Sequence, residues 1–270
     1  VREHPMVFAL AGGKNQIAEL CKRLTAYGFG DCKIAVGERL SYPEERIFQG
    51  NVREFCELET DSLAVFLIWN RRAERREVVC GIPDEQFCRG KVPMTKEEVR
   101  SISISKLRLW KDAVIYDVGA GTGSVAVEMA LQAPDGVVYA VEKNEEAVAL
   151  LGKNRVAFAV DHLKIVHGKA PEALENLPAP THVFIGGSSG NLKEILDIVL
   201  KKNKAVRVVI NAITLETVTE ALTYLKEQEI SGAEVVSVQT ARAREVGRYH
   251  MMTGQNPVYV ISFGGERQER

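Results

Sequence analysis

The stretch "VIYDVGAGTGSVAVEMA", residues 114–130, constrains the fold of this chain more than any other. A β-branched run closes on Asp117, glycines follow at 119, 121 and 123, and an apolar helical pattern begins at Ser124. Glycines at alternate positions let the backbone enter the left-handed region and let a ligand approach the main chain closely. The pattern therefore reads strand, ligand-binding turn, helix. What is missing narrows the ligand. A dinucleotide fingerprint wants a third glycine where Ser124 stands. A phosphate-binding P-loop wants Lys followed by Ser or Thr after its last glycine, and Ser124-Val125 offers neither. "AGGKN" at 11–15 fails the same test, because its first required glycine falls on Phe8.

Around this turn the chain alternates short apolar runs with helical patterns. Strands are expected at 113–118, 137–141, 163–167, 182–186, 206–211, 234–239 and 258–263, and helices near 123–132, 144–159, 190–202 and 215–228. This predicts an α/β fold, a Rossmann-like seven-stranded doubly wound sheet with its ligand at the carboxyl ends of the strands. The last two strands follow one another without a helix, so a hairpin closing one edge is expected. Ahead of the sheet, "MTKEEVRSISISKLRL" reads as a helix with Thr95 as N-cap and Glu98 completing a capping box. A separate pattern, "MVFALAGG", "NQIAELCKRLTAYG", "KIAVGE" and "SLAVFLIW", predicts a small N-terminal α/β unit with parallel strands. It ends in the charge-dense "NRRAERRE" at 70–77, which divides the chain into 1–77 and 78–270.

Composition narrows the partners. A formal net charge of -1 and a pI near 6.6 supply no overall basic field for nucleic acid. Cys21, Cys32, Cys56, Cys80 and Cys88 form no C-x-x-C pair and have no His at ligand spacing, so they read as reduced thiols and no metal site is expected. No apolar run approaches the ~20 residues that span a bilayer, and "VREHPMVF" lacks a secretory pattern. A cytoplasmic protein with no membrane partner is expected.

The G-x-G-T-G turn resembles the first motif of the S-adenosylmethionine-dependent methyltransferases. That cofactor has no pyrophosphate, so it needs close backbone approach more than a helix dipole, and its sulfonium favours a nearby acid such as Asp117. Glu142, ending "VVYAVE", is placed to accept hydrogen bonds from both ribose hydroxyls. Gly168, Lys169 and Ala170 follow "LKIVHG" where such folds meet adenine. The fourth strand ends "FIGGSSG", without the Asn- or Asp-Pro-Pro-aromatic turn of enzymes that methylate exocyclic amines. Gly186 and Gly187 there make either an open floor for a flat acceptor or a flexible loop. In "TARAREVGRYHMM", Arg242 and Arg244 project to one side of an extended strand. They are two forks suited to carboxylates, or an exposed polar strand.

Taken in order, "IPDEQF", "VPMTKEEVR", "DVGAGTGSVAVEMA", "GKAPEAL", "IGGSSG" and "ARAR" resemble the decarboxylating precorrin-6Y C5,15-methyltransferases of cobalamin biosynthesis, over residues 80 to about 264. "LAGGKN" and "GERLSYPEERI" resemble the carboxyl half of the tetrapyrrole methylase domain that precedes this module in two-domain enzymes. The first half of that domain, with its own cofactor loop, is not among these 270 residues. The resemblance implies S-adenosyl-L-methionine as cofactor and a precorrin or cobalt-precorrin tetrapyrrole as substrate. It implies methylation at C15 with decarboxylation of the C12 acetate and a homo-oligomer, with a tetramer among the expected forms; because the first half of the methylase domain is not among these residues, no C5 step is expected. Residue by residue it carries over Thr95, Gly119, Ala120, Gly121, Thr122, Gly123, Glu142 and Ala170 as cofactor contacts. Gly186, Gly187, Arg242, Arg244 and His250 are the acceptor candidates. An RNA methyltransferase and a non-catalytic S-adenosylmethionine-binding module stay open as alternatives.

Overall fold

A computed structural model describes residues 1–12, 16–60, 63–74 and 80–265. Parts of "AGGKN" (13–15) and "NRRAERRE" (75–77) lie outside the described residues. The chain forms two compact units, Val1–Glu77 and Val78–Arg270.

The first unit contains β1 (Met6–Ala11), α1 (Gln16–Ala26), β2 (Lys33–Glu38), β3 (Arg46–Asn51) and β4 (Ala64–Trp69). Its sheet runs β1-β4-β2-β3, and every neighbouring pair is antiparallel. The expectation of a parallel sheet is corrected here. β1 and β2 do run the same way on either side of α1, but β4 is inserted between them, and β3, unread in the sequence, pairs with β2. Ile17 and Cys21 of α1 pack with Ile34, Val36, Phe66 and Ile68 of the sheet. On the other face Met6, Phe8 and Leu10 are exposed.

The second unit opens with α2 (Glu97–Leu107) and continues β5 (Val114–Val118), α3 (Ser124–Gln132), β6 (Val137–Glu142), α4 (Glu145–Ala157) and β7 (Leu163–His167). It then runs β8 (His182–Ile185), α5 (Leu192–Lys202), β9 (Arg207–Ala212), α6 (Leu215–Glu227) and β10 (Glu234–Val238), followed by β11 (Ala241–Val246), β12 (Tyr249–Gly254) and β13 (Val258–Phe263). The seven-stranded sheet has the order β10-β13-β9-β8-β5-β6-β7. The five strands from β9 to β7 are parallel, and β13 is antiparallel to both its neighbours. The central strands are buried on both faces, which is why β5, β8 and β9 read as continuous apolar runs. Residues of α2, α3 and α4 such as Ile104, Met129 and Leu151 fill one face. Leu196, Val199, Ala221 and Leu225 of α5 and α6 fill the other. The strand order reverses between β5 and β8, so the crevice for a ligand opens at their carboxyl ends.

Two local expectations are corrected. β10 and β13 pair antiparallel at the edge, but their connection is a second ribbon, β11–β12, and not a simple turn. Helix α2 starts one residue later than read: Lys96 is the N-cap and no side-chain cap bond forms. The free amide of Glu97 donates instead to Asp84 Oδ1 at 3.1 Å, so a residue 13 positions upstream supplies the cap that Thr95 was expected to give.

Candidate functional site

Three chain reversals meet at the switch point. Gly119 has φ +73°, and a Cβ there would lie 2.6 Å from the Gly187 carbonyl oxygen, so the turns after β5 and β8 touch main chain to main chain. Gly121 has φ +54°, with the Pro93 carbonyl 3.2 Å from where its Cβ would be. The amides of Gly119 and Ala120 donate to the Val141 carbonyl at 3.0 and 3.1 Å, and those of Gly186 and Gly187 donate to the Val118 carbonyl at 3.0 and 3.3 Å.

Glu142 is fixed by the same turns. Its Oε2 accepts from the Gly121 amide at 2.8 Å, and its Oε1 accepts from the amides of Lys143 and Asn144 at 2.9 and 2.8 Å. Three backbone donors aim the carboxylate, and it keeps 9% exposure. Beside it opens a cavity of about 460 Å³, a size ordinary for one small-molecule ligand.

Of the residues singled out in the sequence, Thr95, Gly119, Ala120, Gly121, Glu142, Gly168, Ala170, Gly186 and Gly187 line this cavity. Thr122 and Gly123 stand behind its wall. The Thr122 carbonyl accepts from Asn154 Nδ2 at 2.8 Å, and Gly123 packs against the Leu151 side chain. Asp117 is fully buried under the glycine turn, and neither carboxylate oxygen has a hydrogen-bond partner among the described residues. Burial, and secondarily the charge of Glu142, push its carboxyl up to about 8, against a smaller opposing pull from the Ala126 amide.

Arg242, Arg244 and His250 do not line the cavity. Arg242 is engaged within the protein: its Nε and Nη2 donate to the two oxygens of Glu98 at 2.9 and 3.0 Å. That fork holds the Glu98 carboxyl below the usual carboxylate range. The expected capping box is thus replaced by an ion pair spanning 144 residues of sequence. Arg244 is exposed, and His250 faces its cross-strand neighbour Glu245 at 3.6 Å.

Sequence reasoning missed several residues at the site. Lys91, Lys143 and Asn144 also line the cavity, and the Lys143 ammonium donates at 2.9 Å to the hydroxyl of Ser189, a residue of the glycine-rich floor. It also missed a buried knot beneath Thr95. Arg100, with no exposure, donates from Nε to Glu128 at 2.5 Å, from Nη1 to the Thr95 carbonyl at 2.6 Å and Asp84 at 3.2 Å, and from Nη2 to the Ile82 carbonyl. Glu128 in turn accepts from the amides of Gly81 and Ile82 at 2.9 and 3.0 Å. The available signal was Glu128, a charged residue set between Val127 and Met129 in the apolar helix α3; buried charges survive only when paired.

A doubly wound sheet with a reversed strand next to one edge, a glycine turn after its first strand and an acid ending the next define the methyltransferase class of fold. Within that class, the chain belongs to the precorrin methyltransferase domain family, which matches residues 86–263. A relative from Pyrobaculum calidifontis, named "Probable cobalt-precorrin-6B C(15)-methyltransferase (decarboxylating)", is 44% identical over 185 residues, 67% of this chain and 94% of that protein. The cobalt-precorrin-6B C(15)-methyltransferase (decarboxylating) of Salmonella typhimurium is 39% identical over 181 residues, 66% of this chain and 93% of that protein. The crystal structure of a precorrin-6Y C5,15-methyltransferase from Geobacter metallireducens superposes with a TM-score of 0.66 at 38% identity, covering 70% of this chain and all of that one. Among the described residues, no helix is long and apolar enough to cross a membrane.

Proposed function

We propose that residues 78–270 transfer a methyl group from S-adenosyl-L-methionine to C15 of a precorrin or cobalt-precorrin and remove carbon dioxide from its C12 acetate, a step of cobalamin synthesis. The observation that carries this reading is the cavity walled by the glycine turn and Glu142, in a chain of the precorrin methyltransferase domain family. The residues present suit the cofactor. Gly119 and Gly121 form a cradle that a Cβ would fill, Glu142 offers a fixed carboxylate to the ribose hydroxyls, and the backbone at Gly168 and Ala170 offers a polar edge to adenine. Thr95 adds to the wall of the cavity, whereas Asp117, buried beneath the turn with its carboxyl pushed up to about 8, is neutral near pH 7 and offers the sulfonium no full charge. When bound, the cofactor supplies an electrophilic methyl group on a sulfonium.

The chain's own task is then alignment and exclusion of water, which contributes up to roughly 7–11 kcal/mol in well-oriented reactions. Gly186 and Gly187 leave the floor beside the methyl free of side-chain bulk. An electron-rich ring carbon attacks without a strong protein base, and the conjugated ring accepts the electron pair released when the acetate loses carbon dioxide. Arg244 and His250 are the hairpin groups available to ring carboxylates. A carboxylate reaches Arg242 only in competition with Glu98.

Residues 1–77 are read as the carboxyl half of a tetrapyrrole methylase domain and a linker, and the protein as cytoplasmic. The β11–β12 ribbon supports self-association: Val246, Tyr249, Met251 and Met252 are all exposed, and a two-stranded ribbon is marginal in water by itself. The test of the reaction is incubation of the full chain with methyl-labelled S-adenosyl-L-methionine and cobalt-precorrin-6B, followed by mass spectrometry. The expected product has gained one methyl and lost carbon dioxide. Methyl gain alone would remove the decarboxylase half of the reading, and binding of the cofactor without turnover would leave a passive module.

A further inference from the structure

The donor cavity has one neighbour that the reaction described so far leaves unused. β9 runs parallel beside β8 with Ile185 level with Ile210, so the turn from β9 into α6, which follows Ala212, leaves the same edge of the sheet as Gly186 and Gly187. That turn carries Ile213 and Leu215, 69% and 68% exposed. Among the described residues they are the large apolar side chains left in solvent on the turns that follow the five parallel strands.

Their exposure is not looseness of the turn. On one side of the pair, the Ser103 hydroxyl of α2 donates to Asn211 Oδ1 at 3.0 Å. Between them, Thr214 is the N-cap of α6 and its side chain accepts from the Thr217 amide at 3.2 Å. An apolar residue just before a capped helix ordinarily folds back onto the first turn as a hydrophobic staple, here Ile213 onto Val218. Ile213 instead remains more than two-thirds exposed. A pinned turn that holds two apolar side chains outward beside a ligand cavity has the character of a binding surface.

We infer that Ile213 and Leu215 form an apolar shelf that takes one face of the acceptor macrocycle and so set the enzyme's preference for a broad, flat ring. The inference rests on the methyl-transfer reading above. The cavity of about 460 Å³ is the size of a single small ligand and no residue of the β9–α6 turn lines it. A tetrapyrrole must therefore lie across the cavity mouth, and the shelf is the apolar ground on the β9 side of that mouth.

The test compares the full-length wild type with Ile213→Ser/Leu215→Ser and with the conservative Ile213→Val/Leu215→Met, at saturating S-adenosyl-L-methionine, with cobalt-precorrin-6B as acceptor. The serine pair is expected to raise the acceptor KM about tenfold or more, as loss of apolar contact in a substrate site does. Cofactor Kd by calorimetry, melting temperature and sedimentation coefficient should be unchanged, and the conservative pair should stay near wild type. An unchanged acceptor KM overturns the shelf. So does a fall in sedimentation coefficient in the serine pair, which would make this surface a contact between copies of the chain. A wild type that binds the cofactor but never methylates the macrocycle is a distinct result: it removes the proposed reaction, and the shelf with it.

Discussion

The Thr95 side of the ligand cavity and the β11–β12 ribbon are each held by an arginine and a carboxylate, and they differ in nearly everything else. Beneath Thr95, Arg100 and Glu128 have side chains 0% and 1% exposed. At the ribbon, Arg242 and Glu98 are 39% and 38% exposed. The cradle presents backbone to its ligand, fixed by turns that tolerate no side chain. The ribbon presents side chains, among which Arg242 is already forked onto Glu98. A buried pair whose charges are locked by five further hydrogen bonds makes a site rigid, whereas a half-exposed fork makes one that can be exchanged.

Substitutions can break this contrast at its strongest point first. Gly119→Val forces a Cβ into the 2.6 Å gap to Gly187 and demands a positive φ of a β-branched residue; cofactor binding by calorimetry is expected to fall below detection. Removing the arginine of the buried pair, Arg100→Ala, strands Glu128 and Asp84 and should cost about 3–5 kcal/mol of stability in denaturant unfolding. A loss under about 1 kcal/mol would show that the knot is no more rigid than the ribbon. Glu142→Ala removes an acceptor for charge-assisted hydrogen bonds and should weaken the cofactor roughly 10- to 100-fold; unchanged affinity would end its ribose role.

Asp117 sharpens the picture through pH. Its carboxyl sits at about 8 in the folded protein against an ordinary 3.8. Below about pH 4 both folded and unfolded chains are protonated and the group has no effect. Between about pH 4 and pH 8 the unfolded chain has lost a proton that the folded one keeps, so stability falls as pH rises, and above pH 8 the cost is complete. Asp117→Asn should flatten that slope, raising Tm at pH 8 by a few degrees while leaving it unchanged near pH 4. The smallest effect is expected at the ribbon: Arg242→Ala should change stability by less than about 1 kcal/mol, since a half-exposed pair is screened by solvent.

Much of the site could be read ahead because it is made of backbone. Gly119 and Gly121, with Glu142 ending the next strand, announce a close approach and a fixed acid through spacing alone, and the structure places them on one cavity wall. The alternation of apolar runs and helices gave the seven strands of the second unit within one or two residues of their ends. The first unit was harder. β1, α1 and β2 look like a parallel crossover, and nothing in "SLAVFLIW" says that β4 will slide between the two strands and reverse every pairing. "RIFQGN", which becomes β3, lacks the apolar alternation that marks a half-buried strand.

By itself the sequence determined the seven strands of the second unit's sheet, the turn that demands glycine and the acid beside it, because those are local: φ, pleat and helical period act over a few residues. Tertiary structure alone decided which partner each charged side chain would take. Glu98 has the spacing of a capping box and Arg242 that of a free carboxylate fork, yet 144 residues of chain separate the two groups that bind each other. The amide that Thr95 was to cap went to Asp84, and Arg100 went into the core because Glu128 was already there to meet it. A long side chain's partner is settled by the dielectric and the geometry that packing creates, and no spacing along the chain encodes either.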